Sequence, residues 1–251
     1  MLFLNCMKEY PWIWELHRIT NNSAGVPLDP AEWPNEWKGI EFKEYERYPR
    51  IPLPSPAERL EHTISDVFNN RKSELGRSDN FLSLDTLSTF LYWSAGVRKT
   101  PENVHNIYRF YPSAGARYPL EIYMITRGNN VLAEGVYHLN IKAHALEKLI
   151  FITETSDIFK LFLDSPFFES PFLFIITAVF QRSMLKYKER GYRFTLLEAG
   201  ALLQNFYLIA TALNLAPNAI GRAVDIELDN ILELKEGEES VVALMTLGNK
   251  K

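Results

Sequence analysis

The chain is poor in the residues on which many site chemistries depend. Cys6 is the only cysteine among 251 residues, which excludes an intrachain disulfide and argues against a cysteine-based zinc site. The five histidines, His17, His62, His105, His138 and His144, are scattered without close ligand spacing, so no metal centre is expected. Basic residues are not in excess: the formal net charge is −4, and nothing suggests a surface built to neutralise nucleic-acid phosphates. Gly-x-Gly-x-x-Gly, a Walker loop, Gly-x-Ser-x-Gly and His-Glu-x-x-His are all missing. Their absence removes the commonest dinucleotide, NTP, hydrolase and zinc-protease readings. The longest apolar region, 196–215, carries Glu198, Gln204, Asn205 and Asn214, which fits a buried helix and not a membrane span. The opening Met-Leu-Phe-Leu-Asn-Cys-Met runs straight into Lys8 and Glu9, unlike a signal peptide, so the cytoplasm is the default location.

What is present is enough apolar residue, 47% of the chain, for one domain with a full core. Residues 1–53 form an aromatic and proline-rich arm that holds Trp12, Trp14, Trp33 and Trp37. A disordered tail would be poor in aromatics, so the arm is expected to be ordered, mostly irregular, and packed on the body or on a second subunit. Residues 54–251 form the main domain. Ser55-Pro56-Ala57-Glu58 has the form of a capping box and predicts a helix to about Asn69, with Leu60, Ile64, Val67 and Phe68 inward. A second helix is expected from Ser83, ending on Gly96 in a left-handed cap. Strands are expected at 120–126, 135–139, 146–152, 172–180 and 241–247, and helices at 155–163, 194–213 and 226–234. Residues 172–180 are apolar apart from Thr177 and read as a central buried strand. This is an α+β pattern.

Several strings could carry chemistry. Tyr111-Pro112-Ser113-Ala114-Gly115-Ala116-Arg117-Tyr118-Pro119-Leu120-Glu121 leaves backbone N–H groups bare under small side chains, so a flat ligand could approach the main chain; the alternative is an ordinary turn before a strand. Arg71-Lys72-Ser73 offers two cations and a hydroxyl suited to a phosphate, or simply a basic helix end. Lys186 and Tyr187 lie in a charged string between the apolar strand and the long helix. They could exchange protons if their surroundings shifted their pKa values, or form a solvated turn. Gln204 and Asn205 could read a ring edge or bond to backbone. Ala219-Ile220-Gly221-Arg222 could set a backbone N–H beside a planar ligand, or be a plain loop.

Taken in order, these strings resemble the SagB/McbC-type branch of the nitroreductase superfamily. Residues 112–121 are similar to its Pro-Ser-Ala-Gly-x-x-Tyr-Pro-Leu-Glu signature. Lys186-Tyr187-x-x-Arg190-x-Tyr192-Arg193-Phe194, with Leu197-Glu198-Ala199-Gly200 and Gln204-Asn205, is similar to its second signature, and Leu244-Met245-Thr246-Leu247-Gly248 to its last strand. The resemblance implies a nitroreductase-like fold, a mostly antiparallel sheet flanked by helices. It also implies FMN and a homodimer holding two flavins between subunits. Arg71 and Ser73, with Lys72 between, would hold the flavin's phosphate and ribityl. Pro112, Ser113, Ala114 and Gly115 would line its ring, with Gln204, Ile220, Gly221 and Arg222 near the ring and Lys250 as a late phosphate contact. Lys186 or Tyr187 would take a proton from an azoline ring in a peptide while hydride passed to flavin N5, giving an azole. A precursor peptide and a cyclodehydratase complex would be the partners. The pattern departs at Glu74-Leu75-Gly76-Arg77, which displaces the second arginine of the family's Arg-x-Ser-x-Arg. Two other readings follow: an NAD(P)H-dependent nitro- or flavin reductase, which needs no base, and a non-catalytic subunit docking a cyclodehydratase or precursor peptide. All flavin readings require the 113–115 and 71–73 stretches to meet within the chain or its assembly.

Overall fold

An eight-residue strand, apolar apart from Thr177, makes the centre of the molecule. Phe172–Val179 pairs along one edge with Leu120–Thr126 and along the other with Glu239–Asn249, so both of its edges are hydrogen-bonded and seven of its eight residues are buried. The computed structural model describes residues 11–21, 34–35, 42–76, 82–98, 107–129, 131–152, 155, 158, 161, 170–221 and 225–250. In chain order the elements are α1 (Pro11–Asn21), β1 (Arg50–Pro52), α2 (Ile64–Asn70), α3 (Leu84–Ala95), β2 (Leu120–Thr126), β3 (Gly135–Asn140), β4 (Ala145–Lys148), β5 (Phe172–Val179), α4 (Gln181–Tyr187), α5 (Glu189–Ala212), β6 (Leu215–Ile220), α6 (Asp225–Ile231) and β7 (Glu239–Asn249). The sheet order is β1-β4-β3-β2-β5-β7-β6, and every pairing is antiparallel. The fold is α+β, as the pattern of periods implies.

Three aromatic rings join helix to sheet. Phe90 of α3, Phe174 of β5 and Phe206 of α5 are fully buried, with centroids 5.0 to 5.5 Å apart. Removing one such ring costs about 3–5 kcal/mol. This cluster sets α5 across the sheet and therefore sets both of its ends.

The structure corrects several expectations. No helix starts at Ser55. The Ala57 N–H donates to Thr89 Oγ1, its carbonyl accepts from Trp93 Nε1, and the Pro54 carbonyl accepts from Ser88 Oγ. Side chains of α3 thus take up backbone groups near the expected helix start. The operative capping box is Thr63 with Asp66, and Ile64 and Phe68 are exposed while Val67 is buried. Gly96 is not left-handed; at φ −65°, ψ 171° it leads straight into the Val97–Arg109 bridge. The fourth strand stops at Lys148 and the last begins two residues early, at Glu239. Residues 215–220 form a strand paired with β7, although 219–222 read as a loop. The arm contains a helix, α1, and its last residues form β1, paired with β4. Helix α1 rests on α5, where Arg193 donates to the His17 carbonyl and to Thr20 Oγ1, both at 2.8 Å. Trp33, Trp37 and most of the helix expected at 155–163 fall outside the described residues.

Candidate active site

Residues 113–118 fold into a tight, unusual turn. Gly115, Ala116 and Tyr118 have φ of 60°, 53° and 47°, a region that costs a non-glycine residue roughly 1–2 kcal/mol. Ser113 holds the turn closed. Its hydroxyl accepts the Tyr118 N–H at 2.8 Å and donates to Glu198 Oε2 at 2.6 Å. The Tyr118 hydroxyl in turn accepts the Arg109 N–H at 2.9 Å.

Lys186 and Tyr187 end on this turn. They lie at the close of α4, which meets α5 at Lys188 (φ 49°, ψ −138°). Gly191 allows that elbow, because a methyl there would lie 2.8 Å from the Met184 and Ser183 backbone. A methyl at Gly115 would lie 2.4 Å from Tyr187 Oη and 3.1 Å from Lys186 Nζ. Glycine is therefore favoured at 115 on two counts, by its φ and by the side-chain ends that stand above it. Lys186 is buried, not part of a solvated turn. Burial, and then the Arg117 guanidinium, push its ammonium down from the ordinary lysine range. Burial pushes the Tyr187 phenol up, with Arg117 opposing. The pair thus diverges, with the lysine made easier to deprotonate and the tyrosine harder.

A buried ionic chain braces this end. Arg117 Nε donates to the Arg182 carbonyl at 3.1 Å. Arg182, one helical turn before Lys186, pairs with Glu121. Glu121 and Glu147 then flank His138, each at 3.0 Å from one ring nitrogen. Burial alone would raise Glu121, but His138 and Arg182 override it and hold the carboxyl at about 2. Burial would lower His138, and the two carboxylates reverse that and raise it.

Glu198 is named in the second signature, but the sequence reading gave it no role in the site. It is 3% exposed, and its Oε1 is buried without a hydrogen-bond partner. Burial pushes its carboxyl up to about 8, against the Ser113 hydrogen bond and the Arg109 charge. A usable signal existed: Glu198 lies on the same stripe as Thr195, Ala199 and Leu202, the buried face of an otherwise apolar helix.

The second group of expected residues is elsewhere. Ser73 Oγ lies 2.9 Å from the Tyr207 hydroxyl, which accepts the Ala219 N–H at 2.8 Å. The Arg71 guanidinium sits 5.4 Å over the Tyr207 ring. Lys72 pairs with Glu74 at 2.8 Å, and Lys250 lines a small cleft with Lys72, His62 and Asn214. Ile220 is buried; Gly221 is exposed, with open space around it. Gln204 is exposed on α5, whereas Asn205 donates to the Ser94 carbonyl at 3.1 Å. Arg222 and Arg77 lie outside the described residues.

Within one chain the two groups do not meet. Glu198 and Tyr207 are nine positions apart on α5, or about two and a half turns and roughly 13 Å of rise. They therefore point from opposite sides of the helix. Between them runs an exposed stripe, Leu197, Gly200 and Gln204, on a helix whose opposite face is buried. The helix is thus not apolar-buried all round. Among the described residues no histidine, cysteine or carboxylate cluster could hold a metal, and no helix is long and apolar enough to cross a membrane.

With this geometry in hand, comparison with known proteins is decisive at the level of family. Residues 77–249 match the profile of the Nitroreductase family. The chain belongs to the nitroreductase family. This nitroreductase-family chain is 33% identical to a Methanocaldococcus jannaschii chain named after the nitroreductases (MJ1384), over 74% of its own length and 91% of that protein. It is 29% identical to the trifolitoxin-processing protein TfxB of Rhizobium leguminosarum, over 78% of its length and 55% of TfxB. It is 31% identical to the microcin B17-processing protein McbC of Escherichia coli, over 61% and 58%. The chain therefore spans little more than half of each processing protein. Among solved structures, a nitroreductase-type chain from Anabaena variabilis superposes with a TM-score of 0.68 at 25% identity, covering 93% of this chain and 45% of that one. One chain of the E. coli McbBCD microcin synthetase complex, solved with truncated pro-microcin B17, superposes with a TM-score of 0.61 at 20% identity, covering 96% of this chain and 92% of that one.

Proposed function

We propose that this chain is an FMN-dependent dehydrogenase that converts azoline rings in a peptide to azoles. The observation that carries the reading is the convergence of Lys186 Nζ and Tyr187 Oη on the bare backbone of Gly115. An apolar strand end, a positive-φ turn and a helix elbow all serve to hold a base and an acid against one glycine. The family membership and the processing roles of the relatives TfxB and McbC support the same reading.

The residues fit a flavin. Pro112, Ser113, Ala114 and Gly115 offer a partly exposed, small-residue surface, and Arg71, Lys72, Ser73 and Lys250 supply cations and a hydroxyl for a phosphate. Ile220, Gly221, Arg222 and Gln204 complete the proposed set. When bound, FMN would supply the two-electron acceptor that takes hydride from the substrate ring. Lys186, pushed toward neutrality, is the group suited to take the ring proton. Tyr187 keeps its proton and can donate a hydrogen bond to the ring heteroatom. Ser113 and Glu198 fix the turn on which the ring would rest.

The ring-side residues and the phosphate-side residues lie on opposite faces of α5. A homodimer that pairs the exposed Leu197–Gly200–Gln204 stripe of two copies would bring one copy's Arg71 lobe toward the partner's turn. A precursor peptide and a cyclodehydratase are the proposed partners, in keeping with the peptide-bound McbBCD assembly.

The test is direct. The purified protein should be yellow, sediment as a dimer, and turn a synthetic thiazoline peptide into the thiazole. Lys186→Ala and Tyr187→Phe should retain flavin and lose about 10²–10⁴-fold in azole formation. Unchanged turnover sinks the role of the pair. Reduction of nitrofurazone by NADPH without azole formation would favour a nitroreductase instead. Colourless protein that stays colourless with added FMN would favour a non-catalytic subunit.

A further inference from the structure

The surface beyond Gly115 continues into a trough that the proposed chemistry does not use. A cleft of about 740 Å³ runs from Ser113, Gly115 and Tyr118 past Tyr108 to Arg98 and Phe110. A second, of about 820 Å³, runs from Arg98 and Phe110 to Trp93, Tyr92 and the 55–58 segment. Arg98 and Phe110 line both, so the two clefts adjoin at these side chains.

The walls are rigid and aromatic. Phe110 packs against Trp93 at 4.9 Å and Tyr92 at 5.2 Å, and Trp93 is tied to the Ala57 carbonyl at 2.9 Å. The strand-like bridge between Val97 and Arg109, with Arg98 N–H to the Tyr108 carbonyl at 2.7 Å, fixes the floor. Arg98 itself is exposed, its guanidinium 5.6 Å from the Tyr108 ring. Among the described residues no carboxylate pairs with it.

We propose that this trough binds an extended polypeptide segment with an acidic residue seated at Arg98, delivering the reacting ring to Gly115. The proposal rests on the dehydrogenase reading and names how its substrate is held. Each compartment is alone the size of a small-ligand pocket, and a compact ligand would need only one. An extended chain places alternate side chains on one side at roughly 7 Å intervals, which suits two compartments in series. Rings fixed by mutual packing give contact area at little entropic cost. An exposed guanidinium with no carboxylate partner among the described residues selects a carboxylate, because it can bind both oxygens.

The test uses the flavin-loaded protein and synthetic Gly/Ser-rich peptides that carry one thiazoline, with Asp scanned along the chain. One Asp position should lower KM. At that position Arg98→Glu should raise KM about tenfold to hundredfold with kcat unchanged, and the Asp→Lys peptide should restore it. Trp93→Ala should raise KM for the peptides and leave a small acetylated thiazoline amide untouched. Calorimetry with the uncyclised cysteine peptides reads the same preference without turnover. No Asp preference, or no effect of Arg98→Glu in either assay, overturns the trough. A shift in KM for NADPH alone would give it to a dinucleotide and overturn the peptide. Wild-type protein that fails on the small thiazoline amide yet binds the Asp peptide through Arg98 would overturn the dehydrogenase and leave the trough standing.

Discussion

The two faces of α5 treat charge in opposite ways. Toward the 113–118 turn, Glu198, Lys186, Arg117, Arg182 and Glu121 are all nearly shut off from solvent. On the far face Arg71, Lys72 and Ser73 are exposed. A group that must move a proton near neutral pH has to be taken out of water, since only desolvation or a close charge shifts it far enough. A group that must only attract an anion works best hydrated and unperturbed. The dry face therefore has the properties of a reaction surface and the wet face those of an anchor.

The largest test of that contrast is at Gly115. Gly115→Ala forces a side chain onto φ 60° and drives a methyl to within 2.4 Å of Tyr187 Oη. The obstacles are the ends of flexible side chains, so the fold should survive, with Tm down by about 2–4 °C. Turnover of a thiazoline peptide should fall about 10²–10⁴-fold, because both proton-transfer groups are displaced. Turnover within about threefold of wild type would mean that the dry face is not where the reaction occurs.

Next in size is the effect of pH on stability. Glu198 is held at about 8 against an ordinary value of 4.5. Between those limits the folded chain keeps a proton that the unfolded chain releases, so this group's contribution to stability falls as pH rises through the window. The amount is on the order of 3–5 kcal/mol. Glu198→Gln keeps a carbonyl for Ser113 and cannot ionise. Its Tm relative to wild type should therefore climb from about pH 5 to pH 8. Glu121 has the opposite sign. Held at about 2, it contributes stability above its ordinary value that is lost as pH falls from 4.5 toward 2. Glu121→Gln should accordingly cost most at neutral pH and converge on wild type in acid. A Tm difference for Glu198→Gln that is flat with pH would remove Glu198 from the dry face.

How much of this was legible in the chain depends on where backbone groups find partners. The β5 run and the α3 and α5 helices were readable because their apolar residues decide them locally. The helix expected at Ser55 failed because Thr89, Trp93 and Ser88, more than thirty positions away, take up the Pro54 and Ala57 backbone groups. Strand β6 was missed because Pro217 and Asn218 disguise an edge strand whose pairing with β7 is long-range. At the site, Lys186, Tyr187 and Ser113 were visible as a recurring pattern, but their convergence on Gly115 needs the elbow at Lys188, which no local propensity specifies. Glu198 was in view as an interruption of an apolar helix and as a letter of the second signature, and neither reading gave it a role in the site. That Arg71 and Ser113 face away from each other depends on a helical phase of nine residues, which could have been counted.

The smallest test separates two neighbours on the wet face. Arg71 spreads its guanidinium over the Tyr207 ring without an ion-pair partner among the described residues. Lys72 is already paired with Glu74 at 2.8 Å. A phosphate arriving there would gain a fresh bidentate contact from Arg71 but would have to compete with Glu74 for Lys72. Arg71→Ala should weaken FMN binding about tenfold to hundredfold, by loss of a charge-assisted contact. Lys72→Ala should weaken it less than about threefold, since an exposed pair is worth under 1 kcal/mol and its loss also frees Glu74. Fluorescence titration of FMN against salt reads both, and the Arg71→Ala isotherms should lose more of their salt dependence. Equal losses for the two variants would mean that the phosphate sits nearer Lys250 and the small cleft than Tyr207, and the anchor would have to be moved accordingly.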